Sequence, residues 1–126
     1  MASLPLTAAS LNISLNYSSS TGLTSGWQQK IVAKNPDGTV KDFTGYTSLT
    51  IYLNAGTLKQ PALTANATMV VGTADATGIV AEIDEATGSA IVNSMTVNNT
   101  AFSIKAGNGT DIAIIATGQL SMKLLP

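Results

Sequence analysis

The stretch WQQKIVAKNPDGTVKDFTGYTSLTIYL, residues 27–53, decides the fold. It reads as a strand, a tight turn, a second short strand, a corner and a third strand. In Asn35-Pro36-Asp37-Gly38, Pro36 pre-sets φ at the first central position of a type I turn, Asp37 tolerates the second, and Gly38 accepts the positive φ that follows. The first two strands are therefore expected to form a hairpin, with Ile31 before the turn and Val40 and Phe43 after it facing a common interior. Farther on, Leu49, Ile51 and Leu53 alternate with Ser48, Thr50 and Tyr52, the two-residue period of a strand with one buried face. The short side chains of Asp37 and Asp42 are expected to bond backbone N–H groups of the turn and of the corner at Asp42 to Gly45.

Working outward, the N-terminal 25 residues have a different texture. Leu11, Ile13 and Leu15 alternate with Asn12, Ser14 and Asn16, and then Ser18-Ser19-Ser20-Thr21-Gly22 breaks the pattern. Two readings stand side by side. Residues 11–17 are the first strand of the domain, or residues 1–25 are an extended arm ordered against a neighbouring subunit. On the arm reading, Leu4, Leu6, Leu11, Ile13, Leu15 and Tyr17 supply the partner contacts. Residues 26–126 form the domain proper.

On the C-terminal side, Pro61 cannot donate a ladder hydrogen bond, so residues 58–64 are expected as an exposed loop and a second contact region. Residues 68–71 are β-branched and apolar, residues 72–78 supply a turn, and Ile79, Ala81 and Ile83 alternate with Val80, Glu82 and Asp84. Only residues 84–93, DEATGSAIVN, invite a helix, and Gly88 in their middle limits it to a turn or two. Phe102, Ile104 and Ala106, then the turn Gly107-Asn108-Gly109, then residues 111–116 and the alternating Leu120, Met122 and Leu124 complete the series. Strands at short intervals with turn chemistry between them predict an all-β fold, an antiparallel β-sandwich of immunoglobulin-like or related topology.

The 126 residues suffice for one domain, and 44% of them are apolar, enough to bury a core without staples. Only 10% are charged against the usual ~25%, and the net charge is −1. All six basic residues are lysines, so clustered positive charge and planar arginine forks, the grip of a nucleic-acid binder, are missing. There is no run apolar and long enough for a membrane helix, and the N-terminus lacks the basic and apolar regions of a secretory signal. The expectation is a protein made in a cytoplasm with no nucleic-acid or membrane partner.

Chemistry finds little to work with. Cysteine and histidine are absent, which removes nitrogen- and sulfur-ligated zinc and the commonest general base. Glu82, Asp84 and Glu85 cluster, but Glu82 and Asp84 fall on the polar face of a strand, where a solvated edge is preferred to a catalytic or calcium role. No catalytic residue, cofactor or metal site is assigned, and the expectation is a non-enzymatic protein. Gly107-Asn108-Gly109 opens no helix and is a turn, not a phosphate loop. The sequons at Asn12, Asn16, Asn66, Asn98 and Asn108 follow from a composition rich in Asn, Ser and Thr, and no glycan is assigned to them. Trp27 is read as a core anchor in preference to a ligand platform.

The run VKDFTGY at residues 40–46, followed by TGIVAEID at 77–84 and GQLSMK at 118–123, resembles the N-terminal immunoglobulin-like domain of phage baseplate upper proteins and related small virion β-sandwiches. In that pattern a D-[LF]-T-G corner joins two strands, here Asp42-Phe43-Thr44-Gly45, and the likeness covers about residues 27–124. A baseplate protein would continue into attachment segments beyond the sandwich, which ends here at Pro126. A sandwich with an N-terminal arm also resembles the cement or decoration proteins of tailed-phage capsids, often trimers at three-fold positions. That resemblance implies a virion structural protein on the capsid surface, made in the host cytoplasm. Its partners would be the major capsid protein and further copies of itself as a homo-oligomer, a trimer by analogy. A tail or baseplate adaptor ranks second, and a carbohydrate-binding or adhesive module third.

Overall fold

The computed structural model of the chain describes residues 7–18, 22–23, 27–54, 66–94 and 99–125. The strands are β1 (Ala9–Ser18), β2 (Gly22–Leu23), β3 (Trp27–Ile31), β4 (Ser48–Leu53), β5 (Asn66–Asp75), β6 (Gly78–Ile83), β7 (Asn99–Gly107) and β8 (Ile112–Leu125), with a helix, α1 (Glu85–Ser94), between β6 and β7. They make one mixed sheet in the order β2-β1-β8-β7-β4-β5-β6-β3. Apart from the two-residue β2, seven strands curl until the sheet is nearly closed into a barrel. Thr7, just before β1, and Lys34, just after β3, exchange backbone hydrogen bonds of 2.8 and 3.1 Å and draw the two margins together at one end.

The fold is all-β, as the alternation predicts, but it is not wholly antiparallel. β1 runs parallel to β8 over ten paired positions, from Ala9 opposite Ala116 to Ser18 opposite Leu125, and every other pair is antiparallel. A parallel pair needs a long connection, and here nearly the whole domain lies between the two strands.

The interior is filled by the alternating rows. Ile13 lies opposite Leu120, and Leu49, Ile51 and Leu53 lie opposite Ala106, Ile104 and Phe102. All eight are buried, together with Ile79, Ala81 and Ile83 of β6. A register shift in β8 puts the successive residues Ile115 and Ala116 both inside, the signature of a bulge. A second shift, in β5 between Val71 and Ala74, interrupts its ladder with β6, just beyond the point between Met69 and Val70 where β5 passes from β4 to β6.

Both ends of the barrel are plugged. Residues 32–47 cross one pole, where Phe43 and Tyr46 are buried edge-to-face at 5.2 Å. The Phe43 N–H donates to Asp75 C=O at 2.9 Å and the Thr47 N–H to Gly107 C=O at 3.0 Å, fastening this segment to β5 and β7. The turn in it forms as expected: the Gly38 N–H donates to Asn35 C=O at 2.9 Å, and Gly38 has φ +89°. The second strand after it does not. It shrinks to a single bridge between Lys34 and Val40, because β3 spends its ladder on β6 instead. Ile31 and Phe43 face the interior as predicted, whereas Val40 is exposed.

The helix covers the other pole and is longer than a turn or two, ten residues in all. Asp84 is its N-cap, with Oδ1 accepting from the Thr87 N–H at 2.8 Å, so this acid terminates β6 and does not sit on a strand face. Gly88 is buried, and Ile91 and Val92 enter the core. Burial outweighs the cost of about 1 kcal/mol that a mid-helix glycine carries. Trp27 packs half-buried against the core, in keeping with an anchor.

Candidate functional site

The pole crossed by residues 32–47 also gathers the β5–β6 and β7–β8 turns, since β3, β5 and β7 end there and β4, β6 and β8 begin there. Four turns at this pole share one device. Asp37, Asp42, Asp75 and Asn108 each accept, through Oδ1, both the backbone N–H and the hydroxyl of the threonine two residues on, at 2.6–3.0 Å. The pattern Asx-x-Thr is visible in the sequence at 37–39, 42–44, 75–77 and 108–110. Each carboxylate or amide oxygen is thus occupied in shaping its own loop.

These bonds have an electrostatic consequence. The carboxyls of Asp37, Asp42 and Asp75 are held below the ordinary value, first by the threonine hydroxyl and then by the threonine N–H. Asp84 is lowered as well, first by the Thr87 N–H. The bonds favour the charged form in the folded chain. Their stabilisation is complete above the unfolded carboxylate pKa, about 3.9, and is lost as pH falls through the lower folded values. A pH series of melting temperatures should therefore be nearly flat from pH 7 to about 5 and decline below about pH 4. A curve still flat at pH 2.5 would contradict the turn assignment.

Of the residues assigned to the turn and corner, Pro36 and Asp37 occupy the turn, and Gly38 and Gly45 both take positive φ. Gly45 has φ +88°, and the Tyr46 N–H closes the corner onto Phe43 C=O at 2.9 Å. The space around a Cβ at this position is open, so a side chain here meets backbone strain alone. Gly45→Val should lower unfolding free energy by about 1–2 kcal/mol, read from a urea midpoint; an unchanged midpoint would sink the structural role.

The residues assigned to partner contact are not brought together on a surface. Leu4 and Leu6, and the loop at residues 58–64, lie outside the described residues. Ile13 and Leu15 are buried in the chain's own core and Leu11 packs half-buried against it, which corrects their assignment: inward side chains of β1 cannot also face another subunit. Tyr17 is in β1, paired with Leu124 and Leu23.

The surface that is open lies elsewhere. Among the described residues Ile112 is the most exposed large apolar side chain, at 76%, followed by Ile114 at 45%. Both are on the outer face of the first turn-proximal residues of β8. Ile112 lies opposite Gly107, which offers it nothing to pack on. Ile114 lies opposite Lys105, whose ammonium is drawn 4.6 Å above the Tyr52 ring, toward β4 and away from β8. Sequence reasoning marked residues 111–116 as a strand but missed this patch. The signal was there in IAII, where apolar residues occupy both faces of a strand and only one face has a core to enter.

The charged side chains elsewhere make local contacts. Lys30 donates to Thr77 Oγ1 at 2.6 Å, and the Lys41 ammonium lies 5.5 Å above the Tyr46 ring. Among the described residues there is no group of three acids that could hold a metal ion, and no helix long and apolar enough to cross a membrane. Searches against protein-family models, curated proteins and solved structures find no match to the chain.

Proposed function

We propose that this is a non-enzymatic virion structural protein, a capsid cement or decoration protein that bridges major capsid protein subunits and stabilises the head. The observation that carries the reading is the bare isoleucine patch on β8, set on a barrel whose charge is low and whose turn aspartates are each engaged in a local loop. Such a molecule is suited to contact rather than chemistry. Each copy would bridge neighbours through uncharged polar and apolar contacts, and many repeated weak interfaces would resist internal pressure by avidity. The finer topology belongs to this reading too. β5 pairs with β4 as far as Met69 and with β6 from Val70 onward, as a strand does when it passes between the two sheets of an immunoglobulin-like sandwich.

The corner at Asp42 and Gly45 favours the tail or baseplate adaptor as the second reading, because that motif is the one shared with the baseplate pattern. Copy number separates the two. Purified protein added to capsids of the source phage that lack it should cosediment and saturate at hundreds of copies per particle. A chain that ignores capsids and joins tail assemblies in a handful of copies would move the adaptor to first place.

A further inference from the structure

We infer that the first residues of β8 form a self-complementary edge at which two copies of this chain pair antiparallel about a two-fold axis through Ala113. The inference goes beyond the virion reading and does not rest on it, since the pairing needs only a second copy in solution.

Among the described residues the edge is open. On one side, residues 112–114 pair with β7, with Ile112 opposite Gly107, Ala113 opposite Ala106 and Ile114 opposite Lys105. On the other side, the ladder with β1 begins only at Ala116, opposite Ala9, and Thr7, two residues before Ala9, exchanges its backbone hydrogen bonds with Lys34. Residues 112–114 therefore have no strand beside them on that side among the described residues. An open edge presents unpaired N–H and C=O groups, and native sheets shield such edges with lysine, proline or inward charges. The other margin of the sheet, β3, carries exposed Gln28, Gln29 and Lys30. Ile112-Ala113-Ile114 carries none of these shields.

The sequence of the edge selects a second copy as the occupant. A two-fold contact requires a surface that complements itself, and Ile-Ala-Ile is a palindrome about Ala113. Antiparallel pairing centred there sets Ile112 of each copy beside Ile114 of the other on the outer face. The side that Gly107 leaves bare beside Ile112 and the side that Lys105 vacates beside Ile114 then close on one another. The same register keeps Asp111 of one copy opposite Ile115 of the other, so the two aspartates stay at opposite ends and no like charges meet. A net charge of −1 per chain opposes the approach only weakly. The paired stretch is short, which makes the contact a transient one that forms as concentration rises.

Sedimentation velocity of the full chain over a wide concentration range is the test. The parent should move from the mass of one 12.8 kDa chain toward that of two, and Ile112→Lys, which puts two ammonium groups into one interface, should abolish the shift while leaving the circular dichroism spectrum and melting temperature unchanged. Because the chain has no cysteine, Ala113→Cys supplies a second readout. Mild oxidation should join two copies through residue 113, and Thr117→Cys, beyond the open edge, should crosslink far more slowly. A parent that stays at one chain's mass throughout overturns the inference. So does association that Ile112→Lys leaves intact, or equal crosslinking at positions 113 and 117.

Discussion

Deleting residues 1–21 should give a chain that does not fold. The deletion removes β1, which pairs with β8 at ten positions and carries Ile13 and Leu15 into the core. Truncating one buried Leu or Ile to Ala costs about 2–5 kcal/mol. Two such losses, about 4–10 kcal/mol, together with the removal of half the hydrogen bonding of a central strand, match the whole stability of a domain, about 5–15 kcal/mol. The loss would also expose the inner row of β8, Leu120 included, to water. Circular dichroism and urea unfolding of the truncated chain check this. A cooperative unfolding transition near that of the parent would restore the arm reading of these residues, and then only particle binding should be lost.

Much of the architecture was legible because alternation reports burial one strand at a time. Leu49, Ile51 and Leu53, and likewise Ile79, Ala81 and Ile83, carry the two-residue period in the sequence and are buried in the structure. The turns were legible for a different reason: Pro36, Gly38 and Gly45 answer local backbone demands that need no tertiary context. Pairing is another matter. Nothing in the side chains of Trp27 to Ile31 says that their ladder partner is β6 and not the residues just past the turn, so the expected hairpin kept its turn and lost its second strand. The parallel pairing of β1 with β8 joins the two ends of the chain and was equally out of reach of local reading.

The candidate site was the least legible part, and the reason is physical. An aliphatic residue exposed on an outer face and one buried in the core look alike until the neighbours across the ladder are known. Ile13 and Leu15, which the arm reading gives to a partner and the first-strand reading to the domain, are core, while Ile112 and Ile114, which the sequence marks only as strand residues, are surface. What separates the pairs is their company. Ile13 lies opposite Leu120, whereas Ile112 lies opposite a glycine. The helix was misjudged in the same way: Gly88 was weighed by propensity, but the burial of Ile91 and Val92 decides.

Gly118→Ala should be among the most damaging single substitutions in the chain, although it adds only one methyl group. Gly118 lies in β8 opposite Leu11 of β1 and Phe102 of β7. A Cβ there would run directly into the Leu11 carbonyl oxygen and come within 3.3 Å of the Phe102 ring. The ring edge can give by a few tenths of an ångström, but the Leu11 carbonyl belongs to backbone held in a ladder on both sides of that point. Relief requires β1 to lift from β8. The cost should therefore pass the usual overpacking range of about 1–3 kcal/mol and approach loss of the strand itself. Gly72→Ala is the matched control, because its Cβ would press only on the Val80 side chain, at 3.1 and 3.3 Å, with the Val80 carbonyl oxygen at an ordinary 3.7 Å, and a side chain can yield by a few tenths of an ångström where a backbone carbonyl cannot. Urea midpoints of the two variants should differ widely, with Gly118→Ala far below the parent and Gly72→Ala close to it. A Gly118→Ala chain as stable as the parent would mean that β1 does not lie across Gly118, and the parallel pairing that closes this barrel would have to be redrawn.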